Sequence, residues 1–495
     1  MHAQRGGWPP IVTRLFLVGV ASAVFLALYH GFGAGMASYL IKQGKDHLAA
    51  GRTEAAVQTL AKAHQLAPER PETAALLGAH AFGSSNWVRA IELLTPLADS
   101  GDLPAEEQIT TLDQIGRAHE ALGQRDAATA AFRRIAERHP AAEEPLAIAG
   151  PLGLARLGEP AGALLTSPAA NADAPWRGIA LLHLEDAFGR IGYGSASGAA
   201  AIADASNHGV NAVSLRVGGR QRSVHDPAIR WGDAPAGGET DAAVVRAIRD
   251  AHLLGRRVLL KPHIMLETIT DAEWRGTIEY ADPAELAAWW GDYRGFILHY
   301  AKLAAAENVE AFCVGVELRA MANQAPAEWR RLIAAVREVY PGQLTYAANW
   351  YHEYREVTFW DALDFVGVQF FFPVASESAD PDQDTLRRGV AEIASGLHAL
   401  HLTTGRPVLL TEVGYKSARG AARDPWQWPE PGSRPDPKLQ ARAYRAVLEV
   451  FASAPWCGGL FWWNWLTDPT PGKKFGHDFT PQGKPAAEVV REFWR

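Results

Sequence analysis

The chain has 495 residues, 48% hydrophobic and 21% charged, an ordinary globular composition with room for up to about three domains. Lys and Arg number 48 against 55 Asp and Glu, a net charge of −7, so no broad cationic surface exists for a phosphate backbone and nucleic-acid binding is not expected. Two cysteines, Cys313 and Cys457, cannot build a disulfide framework or a cysteine-rich zinc site.

From Leu15 to Ile41 there is no Asp, Glu, Lys or Arg, and Leu15 to Tyr29 is dense in large apolar side chains. A membrane-spanning helix needs about 20 such residues. Arg5 and Arg14 precede the stretch without a neighbouring acid, which places the N-terminus in the cytoplasm. Residues 1–41 are therefore expected to form a single-pass anchor in the inner (cytoplasmic) membrane, with everything beyond it on the periplasmic side. The competing expectation is a cleaved signal peptide, with Gly35-Met36-Ala37 offering small residues for cleavage.

Residues 42–140 show helical periodicity and a short repeat: Gly51 to Ala56 recurs as Ser85 to Ala90 and as Gly123 to Ala128, at offsets of 34 and 38 residues. With buried-type Ala positions, and Pro68 and Pro140 near the ends of second helices, this region resembles tetratricopeptide repeats. A generic array of Ala-rich helical hairpins is the alternative. Either arrangement suits holding a protein partner, and nothing in it looks catalytic. Residues 141–175, loaded with Pro, Gly and Ala, read as a linker.

From residue 176 to 495, short apolar runs alternate with long amphipathic stretches, the pattern of βα units around a parallel sheet. Eight strands are expected, over Gly178–His183, Val210–Val217, Arg257–Pro262, Glu310–Val316, Leu344–Ala348, Asp364–Phe370, Pro407–Thr411 and Gly458–Trp463. Helical patterns cover Thr240–Leu254, Pro283–Glu307, Pro326–Val339 and Pro437–Ala452, and only a brief helix fits between strands five and six. The expected fold is α/β, a (β/α)8 TIM barrel behind an all-α region; an open doubly wound sheet is the runner-up.

In such a barrel, reactive side chains stand where strands end. Glu317 closes the fourth strand and Glu412 the seventh, each after an apolar run. Singly, each suits a structural ion pair; together they suit glycoside hydrolysis, in which one carboxyl protonates the leaving oxygen and the other attacks the anomeric carbon. A separation of about 5 to 5.5 Å would retain configuration and about 6.5 to 9.5 Å would invert it. Charge coupling is expected to raise the pKa of the acid while the nucleophile stays ionised.

The order of several stretches carries a resemblance: Val258-Leu-Leu-Lys-Pro-His263 with Trp274-Arg-Gly276, Gly315-Val-Glu-Leu318, Thr411-Glu-Val-Gly-Tyr-Lys-Ser417, Phe461-Trp-Trp-Asn-Trp465 and Phe479-Thr-Pro-Gln-Gly-Lys-Pro485. Residues 176–495 resemble the β-mannanases of glycoside hydrolase family 113, in clan A of the retaining glycosidases. The resemblance implies Glu317 as acid/base and Glu412 as nucleophile, and Arg216 as the strand-two arginine that keeps the nucleophile ionised. It also departs from the clan. Val316 stands where Asn usually precedes the acid/base, and Gln369, Phe371 and Phe372 stand where an acidic residue and a Tyr are usual on strand six. The substrate is accordingly expected to be a β-linked polysaccharide, mannan or another.

Lys261, His263 and Asn349, at the ends of strands three and five, are expected donors around a sugar ring. Trp274, Gln369 and Tyr415 complete the expected binding residues. Fifteen of the 17 tryptophans fall at or after Trp176, and Trp462, Trp463 and Trp465 are expected to offer a stacking platform, with only one of the first two facing inward. No metal or other cofactor is expected: HExxH and a serine nucleophile elbow are both missing, and Cys313, four residues before Glu317, reads as core packing. The overall expectation is a membrane-anchored, retaining, endo-acting glycoside hydrolase. A catalytically idle polysaccharide-binding scaffold and a transglycosylase are the alternatives.

Overall fold

The structure is a computed structural model. It describes residues 35–495 apart from 102, 141–142, 161–173, 185, 187, 233–238, 271–272, 431 and 472–474. Most of the apolar stretch expected to cross the membrane lies outside the described residues; among these, no helix is long and apolar enough to span a bilayer.

The N-terminal part is a run of seven helices: α1 (residues 35–49), α2 (Thr53–Leu66), α3 (Pro71–Gly83), α4 (Trp87–Ser100), α5 (Ala105–Ala121), α6 (Arg125–Arg138) and α7 (Ala149–Arg156). The sequence repeat has a structural counterpart. Gly51, Ser85 and Gly123, its three aligned positions, all take left-handed backbone with φ of 70°, 58° and 70°, two residues before α2, α4 and α6 begin. Alanines at close approaches, among them Ala56, Ala63, Ala90, Ala98, Ala118 and Ala128, are fully buried. α7 and a 3-10 turn at Pro145–Ile148 fall inside the stretch expected to be a linker.

The helical part is fastened to the C-terminal part of the chain through α5. Ala196 N–H donates to Asp113 Oδ2 at 3.2 Å, Gln114 Nε2 donates to the Phe188 carbonyl at 2.6 Å, and Arg117 donates to the carbonyls of Gly194 at 3.0 Å and Gly189 at 2.8 Å. Arg156 of α7 pairs with Asp250 at 2.5 Å and with Glu120 at 3.4 Å. These are buried charges, and each is matched by a partner, as burial demands.

Eight parallel strands make up that C-terminal part: β1 (Trp176–Leu182), β2 (Ala212–Gln221), β3 (Arg257–Leu266), β4 (Ala311–Val316), β5 (Gln343–Ala348), β6 (Val366–Phe370), β7 (Val408–Val413) and β8 (Cys457–Leu466). Each expected strand is present, with no end displaced by more than four residues. β1 pairs with both β2 and β8, so the sheet closes into a TIM barrel and the open-sheet alternative is excluded. The helices Asp241–Leu253, Pro283–Ala306, Pro326–Val339 and Pro437–Phe451 cover its outside, and between β5 and β6 there is only the short helix Glu353–Glu356 with one 3-10 turn. A two-residue antiparallel strand, Ile229–Arg230, hangs on the end of β2.

Alternation of strand side chains fills the barrel's interior with Trp176, Ala212, Leu259, Ala311, Cys313, Val316, Ala347, Phe365, Leu409 and Phe461. Cys313 belongs to this plug, and burial pushes its thiol up to about 11, so it is packing. β4 and β7 each carry one extra residue relative to a neighbour: Cys313 and Val316 oppose Thr345 and Ala347, and Leu410 and Glu412 oppose Val368 and Gln369. These bulges break the two-residue period just before the two glutamates and turn Glu412 to the same side as Leu409.

Candidate active site

Inside the mouth of the barrel, two-residue spacing on β3 carries Leu259, Lys261 and His263 up the same inner face, and from Phe365, just before β6, it carries Gly367 and Gln369. Glu317 follows β4 and Asn349 follows β5; Glu412 lies within β7. Glu317, Glu412, Lys261, His263 and Gln369 are all buried.

The two carboxyl groups converge on one amide. One end of the Gln369 amide meets only acceptors and the other only donors, so its nitrogen faces the two carboxylates and donates to Glu317 Oε1 at 2.8 Å and to Glu412 Oε2 at 3.2 Å. Two points at 2.8 and 3.2 Å from a common atom lie at most about 6 Å apart, and the divergent N–H bonds of an amide bring that to about 5 Å.

Each glutamate has further partners. Lys261 Nζ contacts Glu412 Oε1 directly, and both side chains are closed to solvent. Glu317 accepts from Arg275 Nη1 on Oε2 at 2.5 Å and from Asn349 Nδ2 on Oε1 at 2.6 Å. Arg275, a quarter exposed, takes Oε2, and Oε1 is the oxygen turned to Asn349 and Gln369. Burial pushes the Glu412 carboxyl above the usual carboxylate range; the Lys261 ammonium opposes this and the Glu317 charge adds to it. The upward push thus falls on the residue expected to stay ionised, and the Lys261 contact is what holds it toward the charged form.

His263 has no hydrogen-bond partner at either ring nitrogen. Burial, reinforced by Arg275, Arg216 and Lys261, drives its pKa well down, leaving a neutral imidazole with one donor and one acceptor to offer.

Several expected binding residues stand elsewhere. The cation in contact with Glu412 is Lys261; Arg216, midway along β2, gives its guanidinium to Glu239 at 2.8 and 3.2 Å and bears on Glu412 through charge rather than contact. Trp462 points out of the barrel and stacks on Tyr444 with ring centres 3.7 Å apart, and Trp465 is buried against His208. Both are core: they stand three residues apart, and the extra residue that β8 carries against β1 between Trp463 and Trp465 brings both to the helix side, while Trp463 is half-buried and is the one left for the mouth. Tyr415 is fully buried with its hydroxyl on the Phe372 carbonyl at 3.4 Å, so it too packs the core. Trp274 is half-buried beside Arg275.

Three residues not singled out from sequence matter. Arg275 sits on Glu317, Glu239 on Arg216, and Glu353 on Tyr346 and the Asn349 backbone. Arg275 lies inside the Trp274-Arg-Gly276 stretch, and Glu353 is the first carboxylate after β5, within an aromatic segment; those were the available signals. At the rim, Trp350 stacks on Trp426 with centres 4.9 Å apart, and Trp426, Trp428 and Tyr351 are exposed.

The family model of Glycoside Hydrolase Family 113 matches residues 189–484, more than half of the chain. A solved GH113 β-1,4-mannanase complex is 25% identical with a TM-score of 0.55, covering 65% of this chain and 99% of that one. The GH113 β-mannanase AaManA from Alicyclobacillus acidocaldarius, solved in complex with ManMIm, is 28% identical with a TM-score of 0.55, covering 65% and 97%. Another GH113 β-1,4-mannanase is 27% identical with a TM-score of 0.52, covering 60% and 92%. No curated protein matches the chain significantly.

Proposed function

The chain belongs to glycoside hydrolase family 113 and is a glycoside hydrolase, and from that premise we propose that it cleaves a β-linked polysaccharide, β-mannan first among them, with retention of configuration. Glu412 is the nucleophile and Glu317 the acid/base. The observation that carries this reading is the shared Gln369 amide, which bounds the carboxyl oxygens at about 6 Å and favours the short spacing of double displacement over the longer gap that accommodates a water.

In the first step, Glu317 gives its proton to the glycosidic oxygen, the bond from that oxygen to the anomeric carbon breaks, and Glu412 forms a new bond to the carbon. Lys261 occupies Glu412 Oε1, leaving Oε2, on the side of Glu317, as the attacking atom. In the second step, water gives a proton to Glu317 and displaces the Glu412 ester. Arg275 is the contact that yields when Glu317 carries a proton, since a guanidinium on Oε2 suits a carboxylate. His263, Asn349 and Gln369 supply polar groups around the ring, and Trp463 a surface for an apolar sugar face. The exposed Trp426, Trp428 and Tyr351 extend the aromatic surface along the rim, which supports endo action on a polymer.

The same reading keeps residues 1–41 as a cytoplasmic N-terminus and single inner-membrane pass, with the barrel in the periplasm, and takes α2 to α6 as a tetratricopeptide-like platform for a protein partner. Arg5 and Arg14 support the orientation, and the recurrent left-handed turn supports the repeat. Cell fractionation tests the location: the protein is expected in the inner-membrane fraction, and release into the medium contradicts the anchor. The reaction is tested by proton NMR of the first product formed from β-1,4-manno-oligosaccharides. A β-anomer is expected; an α-anomer contradicts retention, and no cleavage contradicts the mannan reading.

A further inference from the structure

We propose that Glu353 is a positioning residue for Glu317, holding through its two carboxyl oxygens the two groups that fix the acid/base in place. The proposal rests on the reading of Glu317 as acid/base.

Glu353 opens the short helix after β5 and has no exposed surface. A carboxyl so placed needs partners, and it has two, one on each oxygen. The Tyr346 hydroxyl donates to Oε1, and the Asn349 backbone N–H donates to Oε2 at 2.6 Å. Both partners lead to Glu317. Asn349 Nδ2 donates to Glu317 Oε1 at 2.6 Å, and the Tyr346 hydroxyl accepts the N–H of Leu318, the next residue in the chain, at 2.8 Å. Thus Glu353 supports the side chain of Glu317 through one arm and its backbone through the other.

The backbone arm has a reason to exist. Glu317 has φ of 53°, in the left-handed region that side-chain-bearing residues avoid, so its conformation must be imposed by its surroundings. The bond from Leu318 N–H to Tyr346 and that from Glu317 N–H to the Ala347 carbonyl, at 2.9 Å, impose it. Burial pushes the Glu353 carboxyl up to about 8; the Tyr346 and Asn349 bonds oppose the push and the Glu317 charge adds to it. A glutamine matches Glu353 in shape, keeps a carbonyl oxygen for the Asn349 N–H and turns its amide nitrogen to the Tyr346 hydroxyl oxygen.

The test uses the full-length protein and two aryl β-mannobiosides, one with a phenol leaving group that needs acid catalysis and one with a dinitrophenol leaving group that does not. Glu353→Ala and Tyr346→Phe are expected to lose kcat/KM about 10- to 100-fold on the phenyl substrate and to stay within about 3-fold on the dinitrophenyl one, while Glu353→Gln keeps most of the activity on both. Glu317→Ala must show the same leaving-group pattern, more steeply. Its failure to do so overturns the acid/base reading. If Glu317→Ala shows the pattern and Glu353→Ala loses both substrates equally, or neither, the positioning role is overturned. A crystal structure of Glu353→Ala decides the matter for any sugar: the Glu317 carboxyl is expected to leave Asn349, and an unchanged Glu317 contradicts the proposal.

Discussion

The Lys261 ammonium lies directly on the Glu412 carboxylate in the barrel mouth, with both side chains almost wholly closed to solvent. Burial raises the Glu412 pKa and Lys261 lowers it, so the nucleophile's charge depends on this contact. Glu412 is idle when protonated, so activity falls as pH drops through its pKa. Lys261→Met removes the lowering contribution, the pKa rises, and the acid limb of kcat/KM against pH moves to higher pH. An acid limb at the wild-type position would show that Lys261 does not govern Glu412.

The two glutamates should be separable from the scaffold that carries them. Glu317→Gln and Glu412→Gln are each expected to cost several powers of ten in rate while oligosaccharide binding by calorimetry persists, since general acid/base and nucleophilic groups act on the transition state. Unchanged turnover in either variant would sink the assigned role, and a wild type without turnover would favour a binding scaffold.

Neighbouring tryptophans on β8 should behave oppositely. Trp463→Ala is expected to raise KM with little change in thermal unfolding. Trp462→Ala, which empties the contact with Tyr444, is expected to cost about 3 to 5 kcal/mol of stability by denaturant titration, with KM intact in the folded fraction. Reversed effects would mean the faces of β8 are misassigned.

The join between the helices and the barrel is a buried ionic one. Arg117 and Asp113 are each about 95% closed to solvent at the side chain. Arg117→Ala leaves Asp113 without its cation and the carbonyls of Gly189 and Gly194 without their donor, and is expected to cost about 3 to 5 kcal/mol. Calorimetry should show helices and barrel unfolding in one transition in the wild type and in two in the variant. One transition at the wild-type temperature would mean the contact contributes nothing.

The strands were legible because each is a short apolar run bounded by helical periodicity, and the helices Pro283–Ala306 and Pro326–Val339 because Pro marks their first residue. Glu317 and Glu412 were legible because charge at the end of an apolar strand is costly without a use. Their convergence was not, since it depends on bulges in β4 and β7 that leave no trace in the hydrophobic pattern. The same limit explains Trp462, Trp465 and Tyr415: an aromatic at a strand end suits a sugar or a covering helix equally until its face is known. The direct partner of Arg216 was hidden for a different reason, as Glu239 lies more than twenty residues away in sequence and only folding brings it close. The bond from Arg117 to Gly194 spans 77 residues and joins segments with no shared pattern.

The most direct measurement is covalent trapping. Incubation with an activated 2-deoxy-2-fluoro-β-mannobioside slows release of the glycosyl group and lets the intermediate accumulate, and peptide mapping by mass spectrometry then locates it. The account predicts one sugar ester, on Glu412. An ester on Glu317, or rapid turnover to an inverted product with no adduct, would contradict it.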